Sequence, residues 1–195
     1  MRDVDDPRVR EAFAATDRRE FLRDEQLRFA EDDRPLRIGY GQTNSQPTTV
    51  ANMLELLEVR EGQRILDVGA GSGWTTALLG RLVGPDGRVI GVELVPELAR
   101  WGAANLARQD LPWATITASE PGVYGVPAEA PFDRILVSAE AAALPDELVA
   151  QLAPGGRMVL PVRHRMLVVD RRHDGTTHIE RHGRYAFVPL LRQPR

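Results

Sequence analysis

The chain has 195 residues, of which 43% are hydrophobic and 27% are charged, with a net charge of −3 and no cysteine. This length predicts one domain with its own core, and the lack of cysteine excludes a disulfide framework or a thiolate site. The slightly acidic balance argues against nucleic acid or an anionic membrane as a partner, and no apolar stretch reaches membrane-spanning length. Since the N-terminal segment is too charged for a secretory signal, we expect a cytoplasmic protein.

The N-terminal part of the chain predicts helices around an unusual loop. Asp6 stands where a helix cap is needed and Pro7 falls at the first helical position, which indicates a helix there. Residues 25–33 predict a second short helix or turn. Residues 36–49, LRIGYGQTNSQPTT, combine glycines with many neutral hydrogen-bonding side chains and predict a loop or extended chain. The apolar residues after Pro47 recur at helical spacing, so we expect a helix to begin there.

From residue 64 onward, strands alternate with helices. Predicted strands cover residues 64–68, 88–94, 113–118, 132–139 and 157–163, and predicted helices cover residues 74–83, 95–110 and 145–152. Short apolar runs of this kind are typical of strands buried on both faces, and their alternation with helices predicts a doubly wound parallel sheet. Residues 165–191 predict two long strands around a turn at Asp174 and Gly175, which would add an antiparallel edge.

The strongest chemical signal is LDVGAGSG, residues 66–73, directly after the first of these strands. Ligands of doubly wound sheets bind at the carboxyl ends of the strands, where glycines let the backbone approach them closely. Glu93 ends the second strand, and an acid at that place can accept both hydroxyls of a ribose. A dinucleotide motif would need its third glycine at position 74, which is Trp74.

The ligand that fits these residues best is a positively charged nucleoside. A carboxylate as close to the glycines as Asp67 would repel a pyrophosphate, whereas it would attract a cation. S-adenosylmethionine carries an ammonium, a sulfonium and a ribose, so we expect it as the cofactor and S-adenosylhomocysteine as the product. The expected cofactor-binding residues are Asp67, Gly69, Ala70, Gly71, Ser72, Gly73, Glu93 and Leu94. Turn glycines with an unrelated Asp and Glu would explain any one of these features, but not the whole arrangement.

Six segments resemble the protein-L-isoaspartate O-methyltransferases, which methylate the isoaspartyl carboxylate of damaged proteins. They are RPLRIGYGQTNSQPTTVANMLELL, GQRILDVGAGSGWTTALL, VIGVELVPELA, APFDRILVSA, LAPGGRMVLPV and RYAFVPLL. The first is the most specific, because GQTxSQP before a helix is close to a signature of that family. The resemblance implies that the hydroxyl residues of this segment, Thr43 and Ser45, meet the carboxylate of isoaspartyl-containing peptides or proteins.

The chemistry of such a reaction agrees with the composition of the loop. A carboxylate has a pKa of roughly 4, so it is ionised at neutral pH and needs no general base. What remains is to align it and to remove its water, for which neutral hydroxyl and amide donors are suited. The free amides at the start of the helix after Pro47 would also favour an anion. A competing interpretation is that Ser45 merely caps that helix.

Two positions depart from the family pattern. The family has Gly-Asp-Gly after the third strand, and its acid contacts the adenine; here the residues are Glu120, Pro121 and Gly122, and we expect Glu120 to replace the acid. Glu140 interrupts a run of alanines, and it either faces solvent or changes the pocket. His178 and His182 are placed on a strand by the pattern, so we expect no metal site.

The resulting prediction is a seven-stranded, mainly parallel, Rossmann-like class I methyltransferase fold with an N-terminal helical cap. One domain over residues 1–195 would divide into cap and substrate loop (1–58), cofactor-binding core (59–160) and C-terminal hairpin (161–195). The expected product is a methyl ester, which for isoaspartate cyclises to a succinimide and can reopen as aspartate. We expect a monomer. Three alternatives stay open: methylation of an Asp in a dedicated peptide precursor, methylation of a small molecule, and cofactor binding without catalysis.

Overall fold

A computed structural model describes residues 4–193. The strands are β1 (Leu36–Gly39), β2 (Gln42–Asn44), β3 (Arg64–Val68), β4 (Arg88–Glu93), β5 (Ala114–Ala118), β6 (Phe132–Val137), β7 (Leu152–Val162), β8 (Arg165–Arg171) and β9 (Thr177–Arg184). The α-helices are α1 (Pro7–Ala14), α2 (Pro47–Leu57), α3 (Trp74–Val83), α4 (Pro96–Leu106) and α5 (Asp146–Ala150). Three short 3-10 helices cover Arg18–Phe21, Asp24–Phe29 and Pro127–Glu129.

Seven strands form the main sheet in the order β5-β4-β3-β6-β7-β8-β9. Strands β3 to β7 are parallel, and β8 and β9 are antiparallel to their neighbours, which confirms the predicted doubly wound sheet with an antiparallel edge. The chain connections reverse direction beside β3, because β4 lies on one side of β3 and β6 on the other. The carboxyl end of β3 is therefore the place where a ligand crevice is expected.

The apolar strands are buried on both faces, as their continuous hydrophobic character predicts. Successive residues of β3 point to opposite faces, so Ile65 joins one core cluster and Leu66 the other. The first cluster contains residues of α1, α2, α3 and α4, whereas the second receives α5 and irregular segments. One face of the sheet is thus covered by four helices and the other by a single short helix.

The N-terminal cap confirms part of the prediction and corrects the rest. The Asp6 side chain accepts a hydrogen bond from the Arg8 amide at the start of α1, as expected of a helix cap. The loop at residues 36–49 is more ordered than predicted, because β1 and β2 pair as a separate antiparallel hairpin. The helix after this hairpin begins at Pro47, as the spacing predicted.

The C-terminal part of the sheet differs from the prediction at two places. Strand β7 begins at Leu152, earlier than the predicted start at residue 157, and a register shift against β6 accommodates Gly155 and Gly156. It also runs to Val162, across the domain division predicted at residue 160. Strand β9 ends at Arg184, so the predicted strand over residues up to 191 is wrong in its last part. Within residues 4–193, no helix combines the length and the apolar character needed to span a bilayer.

Candidate active site

A cavity of about 740 Å³ opens at the carboxyl ends of β3, β4 and β6. Its wall contains eight of the residues predicted for cofactor or substrate: Thr43, Ser45, Gly69, Ala70, Gly71, Ser72, Glu93 and Leu94. Three walls meet here, namely the turn after β3 (the glycine turn, residues 69–73), the β1–β2 hairpin and the C-terminal residues 188–191. Asp67, Gly73 and Glu120 are not part of the wall.

The glycine turn is held close to α4 by backbone contacts that no side chain would permit. Gly69, Gly71 and Gly73 all have positive φ, at 85°, 52° and 89°. A Cβ on Gly73 would lie 2.7 Å from the Gly102 carbonyl oxygen, and a Cβ on Gly102 would lie 2.6 Å from that of Gly71. The third glycine of the motif therefore packs against α4 and does not face the cavity.

Glu93 is a buried carboxylate with a fixed orientation. Its Oε2 accepts a hydrogen bond from the Gly71 amide and its Oε1 accepts one from the Val95 amide, both at 2.9 Å. Because each carboxylate oxygen can accept more than one hydrogen bond, both remain able to accept a ribose hydroxyl. The geometry thus fits the predicted role of Glu93.

Asp67 is fully buried beside the start of α3 instead of on the cavity wall. The hydroxyls of Thr75 and Thr76 donate to its Oδ2 at 2.8 and 2.7 Å, whereas Oδ1 is buried without a hydrogen-bond partner among residues 4–193. Burial raises the pKa of this carboxyl to about 6, and the negative charge of Glu93 adds to the shift, against the two threonine hydrogen bonds that lower it. An unsatisfied anion of this kind fits a cationic ligand above the turn, which supports S-adenosylmethionine.

Arg18 holds the β1–β2 hairpin in place from inside the protein. Its side chain is buried; Nε donates to Asn44 Oδ1 at 2.7 Å and Nη2 donates to the Ser45 carbonyl at 2.9 Å. Further hydrogen bonds reach the carbonyls of Ala30, Asp32, Arg34 and Asn44. Burial lowers the pKa of the Arg18 guanidinium to about 10, so it stays charged at neutral pH. One side chain therefore fixes the backbone on which Thr43 and Ser45 stand.

Asn44 connects this hairpin to the glycine turn. Its Nδ2 donates to the Ser72 hydroxyl at 3.0 Å, and Asn105 of α4 donates to the Ser72 carbonyl at 2.9 Å. Ser72 is thus reached from the hairpin on one side and from α4 on the other. The chain from Arg18 through Asn44 to Ser72 couples the two walls of the cavity.

The start of α2 is capped by Asp33 and not by Ser45. Gln46 occupies the N-cap position, and the Thr48 amide and hydroxyl donate to the Asp33 carboxylate at 2.9 and 2.7 Å. Burial raises the pKa of Asp33, but the hydrogen bonds from Thr48 and Gln46 outweigh it, and the net shift is downward. Within residues 4–193 the Ser45 hydroxyl makes no hydrogen bond, so the capping interpretation of Ser45 is wrong. The anion expected at this helix start is supplied by the chain itself.

Glu140 lies between the strand ends and the C-terminal wall. Its amide donates to the Val188 carbonyl and its carbonyl accepts from the Leu190 amide, both at 2.7 Å. Its side chain is 17% exposed and its Oε2 lies 3.0 Å from His164 Nδ1. The backbone of Glu140 thus anchors residues 188–190 against the cavity, and its carboxylate faces His164. The carboxylate is thus neither fully exposed to solvent nor part of the cavity wall, whereas the sequence suggested one or the other.

Comparison with known proteins decides the family. The protein-family model described as Protein-L-isoaspartate(D-aspartate) O-methyltransferase (PCMT) matches residues 1–194. The chain belongs to this family. A protein-L-isoaspartate O-methyltransferase from Methanopyrus kandleri is 46% identical over 188 residues, covering 94% of this chain and 83% of the relative. One from Anaeromyxobacter dehalogenans is 47% identical over 197 residues, covering 98% and 92%.

Solved structures of the family share the fold. One protein-L-isoaspartate O-methyltransferase has a TM-score of 0.85 at 25% identity; the match covers 95% of this chain, which spans only 61% of that one. A family member assigned in Plasmodium falciparum and solved with S-adenosyl-L-homocysteine has a TM-score of 0.81 at 26% identity, covering 97% of this chain and 92% of that one. The Rossmann-like methyltransferase fold predicted from the sequence is confirmed.

Glu120, which the sequence suggests as the replacement for the adenine-contacting acid of the PCMT family, does not line the cavity. Glu120 is exposed and outside the cavity wall, whereas its neighbour Ser119 lines it. All four serines of the chain line the cavity: Ser45, Ser72, Ser119 and Ser138. The sequence shows that serines are few, but their meeting at one cavity was not predicted. Arg18 and Gly102 were missed too, and no local pattern marks either.

Proposed function

We propose that the chain is an S-adenosylmethionine-dependent carboxyl O-methyltransferase that acts on L-isoaspartyl residues of peptides or damaged proteins. Family membership supports the reaction class. The single observation that carries the proposal for this chain is the position of the Ser45 hydroxyl on the cavity wall, unused by the α2 cap and held over the glycine turn through Arg18 and Asn44.

The glycine turn and the end of β4 are the proposed cofactor wall. Glu93 holds the ribose hydroxyls, Gly69 to Ser72 allow close approach of the backbone, and Leu94 offers an apolar surface to the base. The buried charge of Asp67 and its unpartnered Oδ1 favour a cation at this place. When bound, S-adenosylmethionine supplies a methyl group on a positively charged sulfur.

The β1–β2 hairpin is the proposed substrate wall. The hydroxyls of Thr43 and Ser45 donate hydrogen bonds to the isoaspartyl carboxylate, which is ionised at neutral pH because its pKa is roughly 4. Neutral donors orient the carboxylate without pairing it with a full positive charge, so one oxygen keeps its nucleophilic character. The cavity excludes water from that oxygen, and the product is a methyl ester.

Methyl transfer to two matched peptides tests the proposal. One peptide carries isoaspartate and the other aspartate at the same position, and base-labile label from S-[methyl-³H]adenosylmethionine is counted. We expect label in the isoaspartyl peptide alone, and at least tenfold less with Ser45→Ala, because an oriented donor to a reacting group contributes about that much or more. Thr177→Ala, at the exposed start of β9, is the matched control and should retain full activity.

The other outcomes separate the alternatives. Label in the aspartyl peptide alone would point to a dedicated peptide precursor and overturn the repair function. Cofactor binding in calorimetry without label in either peptide would overturn carboxyl methylation of peptides. The single domain, the monomeric state and the cytoplasmic location stay predictions; sedimentation of the purified chain tests the monomer directly.

A further inference from the structure

The turn of the β1–β2 hairpin carries an aromatic residue in a conformation that disfavours it. Gly39 pairs with Gln42, so Tyr40 and Gly41 form a two-residue turn, with φ of 54° and 72°. Such a turn needs positive φ at both positions and prefers Asn, Asp or Gly at the first. A tyrosine there is strained because its Cβ approaches the following carbonyl.

The Tyr40 side chain is mostly exposed and forms no hydrogen bond within residues 4–193 that would offset this strain. The Tyr40 side chain is 58% exposed, more than the other exposed large apolar residue, Leu27, at 38%. Its hydroxyl makes no hydrogen bond to the described residues; only its backbone carbonyl accepts one, from Gln42. Backbone strain at a site that packing does not explain is a pointer to function.

Tyr40 stands at the rim of the cavity, on the same hairpin as the proposed substrate donors. It contributes to the cavity wall together with Thr43 and Ser45. Only Gly41 and Gln42 separate it from Thr43, so the Cα atoms of Tyr40 and Thr43 lie no more than roughly 10 Å apart. The residues of a bound extended peptide are spaced by about 3.3 Å, so the side chains that flank an isoaspartyl residue held at Thr43 come within reach of the ring.

We infer that Tyr40 is a specificity-determining residue that packs against an apolar side chain flanking the isoaspartyl residue of a peptide substrate. This inference rests on the proposed function and adds the kind of peptide that the site prefers. An aromatic ring with two side-chain dihedrals offers a large apolar surface at low cost in conformational entropy. The strained turn fixes that ring at the rim, where it is ready for the peptide.

Wild-type protein and Tyr40→Asn, each measured with the same two peptides, test this inference. Both peptides contain isoaspartate; one has leucines and the other glycines at the flanking positions within three residues on each side. We expect wild-type protein to show a KM about fivefold lower for the leucine peptide, the size of one aromatic–aliphatic contact. Tyr40→Asn should raise the KM of the leucine peptide to that of the glycine peptide. The KM of the glycine peptide and the cofactor Kd should stay at their wild-type values.

The variants are chosen so that unfolding cannot imitate the result. Tyr40→Asn suits the turn better than tyrosine does, so its Tm should equal or exceed that of wild type. Tyr40→Phe should keep the preference, and Leu27→Ala, at the other exposed apolar residue, should not alter it. Equal KM changes for both peptides, or none, would overturn the inference while leaving the proposed function intact. A wild-type protein that methylates neither peptide would overturn both.

Discussion

The two facing walls of the cavity are built on different principles. The glycine turn is shaped by its own backbone, with three positive-φ glycines and a carboxylate held by two amides. The β1–β2 hairpin makes only three paired positions of its own and is held by distant parts of the chain, among them the buried side chain of Arg18. The proposed cofactor wall is therefore specified locally, whereas the proposed substrate wall depends on long-range contacts such as that of Arg18, which stands 26 positions before Asn44.

Because the two walls are built differently, we expect substitutions in each to affect different ligands. A change in the glycine turn should act on cofactor affinity first, because the backbone itself is the binding surface. A change in the support of the hairpin should weaken peptide binding, because the residues proposed to contact the peptide are displaced together. Measuring the cofactor Kd and the peptide KM on the same variants therefore tests whether the walls behave as two parts.

The largest effect is expected for Arg18→Lys. Lysine keeps the charge but has three donors on one atom, so most carbonyls now bonded to Arg18 would lose their partner in the interior. We expect the free energy of unfolding to fall by about 2–4 kcal/mol and the peptide KM to rise more than the cofactor Kd. Urea unfolding and steady-state kinetics measure both.

Arg19→Lys is the matched control for that variant. Arg19 is exposed and pairs with Glu31 at 2.6 Å, an interaction that lysine retains. Its effect on stability should lie within about 0.5 kcal/mol. A cofactor Kd that rises with Arg18→Lys as steeply as the peptide KM would contradict the division into two walls.

Gly102→Ala should distort the glycine turn. The added Cβ would lie 2.6 Å from the Gly71 carbonyl oxygen, so α4 or the glycine turn must move. We expect cofactor binding to weaken by about tenfold to 100-fold, in line with an overpacking cost of about 1–3 kcal/mol. Calorimetric titration measures it. Ala104→Gly, an exposed position of the same helix, lowers helix stability without touching the turn, and its Kd should match wild type.

Asp67→Asn is expected to stabilise the protein while weakening cofactor binding. Burial raises the pKa of Asp67 from 3.8 to about 6, so between these pH values the folded state holds a proton that the unfolded state has lost. The contribution of Asp67 to stability therefore falls as pH rises from about 4 to about 6, and an uncharged side chain avoids this loss. The gain should approach about 3 kcal/mol above pH 6 and vanish near pH 4.

Urea unfolding of wild type and Asp67→Asn at pH 4 and pH 7.5 measures this gain. Asp86→Asn, at an exposed turn, should show no such difference between the two pH values. An equal effect of Asp67→Asn at both pH values would show that the charge of Asp67 is not what destabilises the ligand-free protein.

The smallest effect is expected for Glu120→Ala. Glu120 is exposed and lies outside the cavity wall, so its removal should leave the cofactor Kd within about twofold of wild type, a change no larger than that of an ordinary surface substitution. Calorimetric titration again gives the answer. A tenfold loss of affinity would restore the role that the sequence suggested for this residue.

Predictions from sequence succeeded where the constraint is local. Short apolar runs gave the strands, Pro47 gave the start of α2, and the position of Glu93 at a strand end gave its place beside the glycine turn. Arg18 could not be found in this way, because nothing in its neighbourhood distinguishes it from the exposed Arg19. Its role depends on carbonyls supplied from 12 to 27 residues further along the chain.

The remaining errors have the same physical origin. The cap of α2 comes from Asp33, 15 residues before Thr48, whereas a sequence window points to the adjacent Ser45. The contact between Gly102 and Gly71 joins a helix interior to a turn, and a glycine inside a helix carries no signal of what approaches it. Contacts between distant segments decide these positions, and local spacing contains no record of them.

The C-terminal wall of the cavity has a consequence for shortened forms of the protein. Residues 188–191 complete the cavity and are anchored by the backbone of Glu140, so a chain that stops before them lacks one wall. A form cut between β9 and residue 188 would keep all seven strands of the main sheet and still lose part of its ligand cavity.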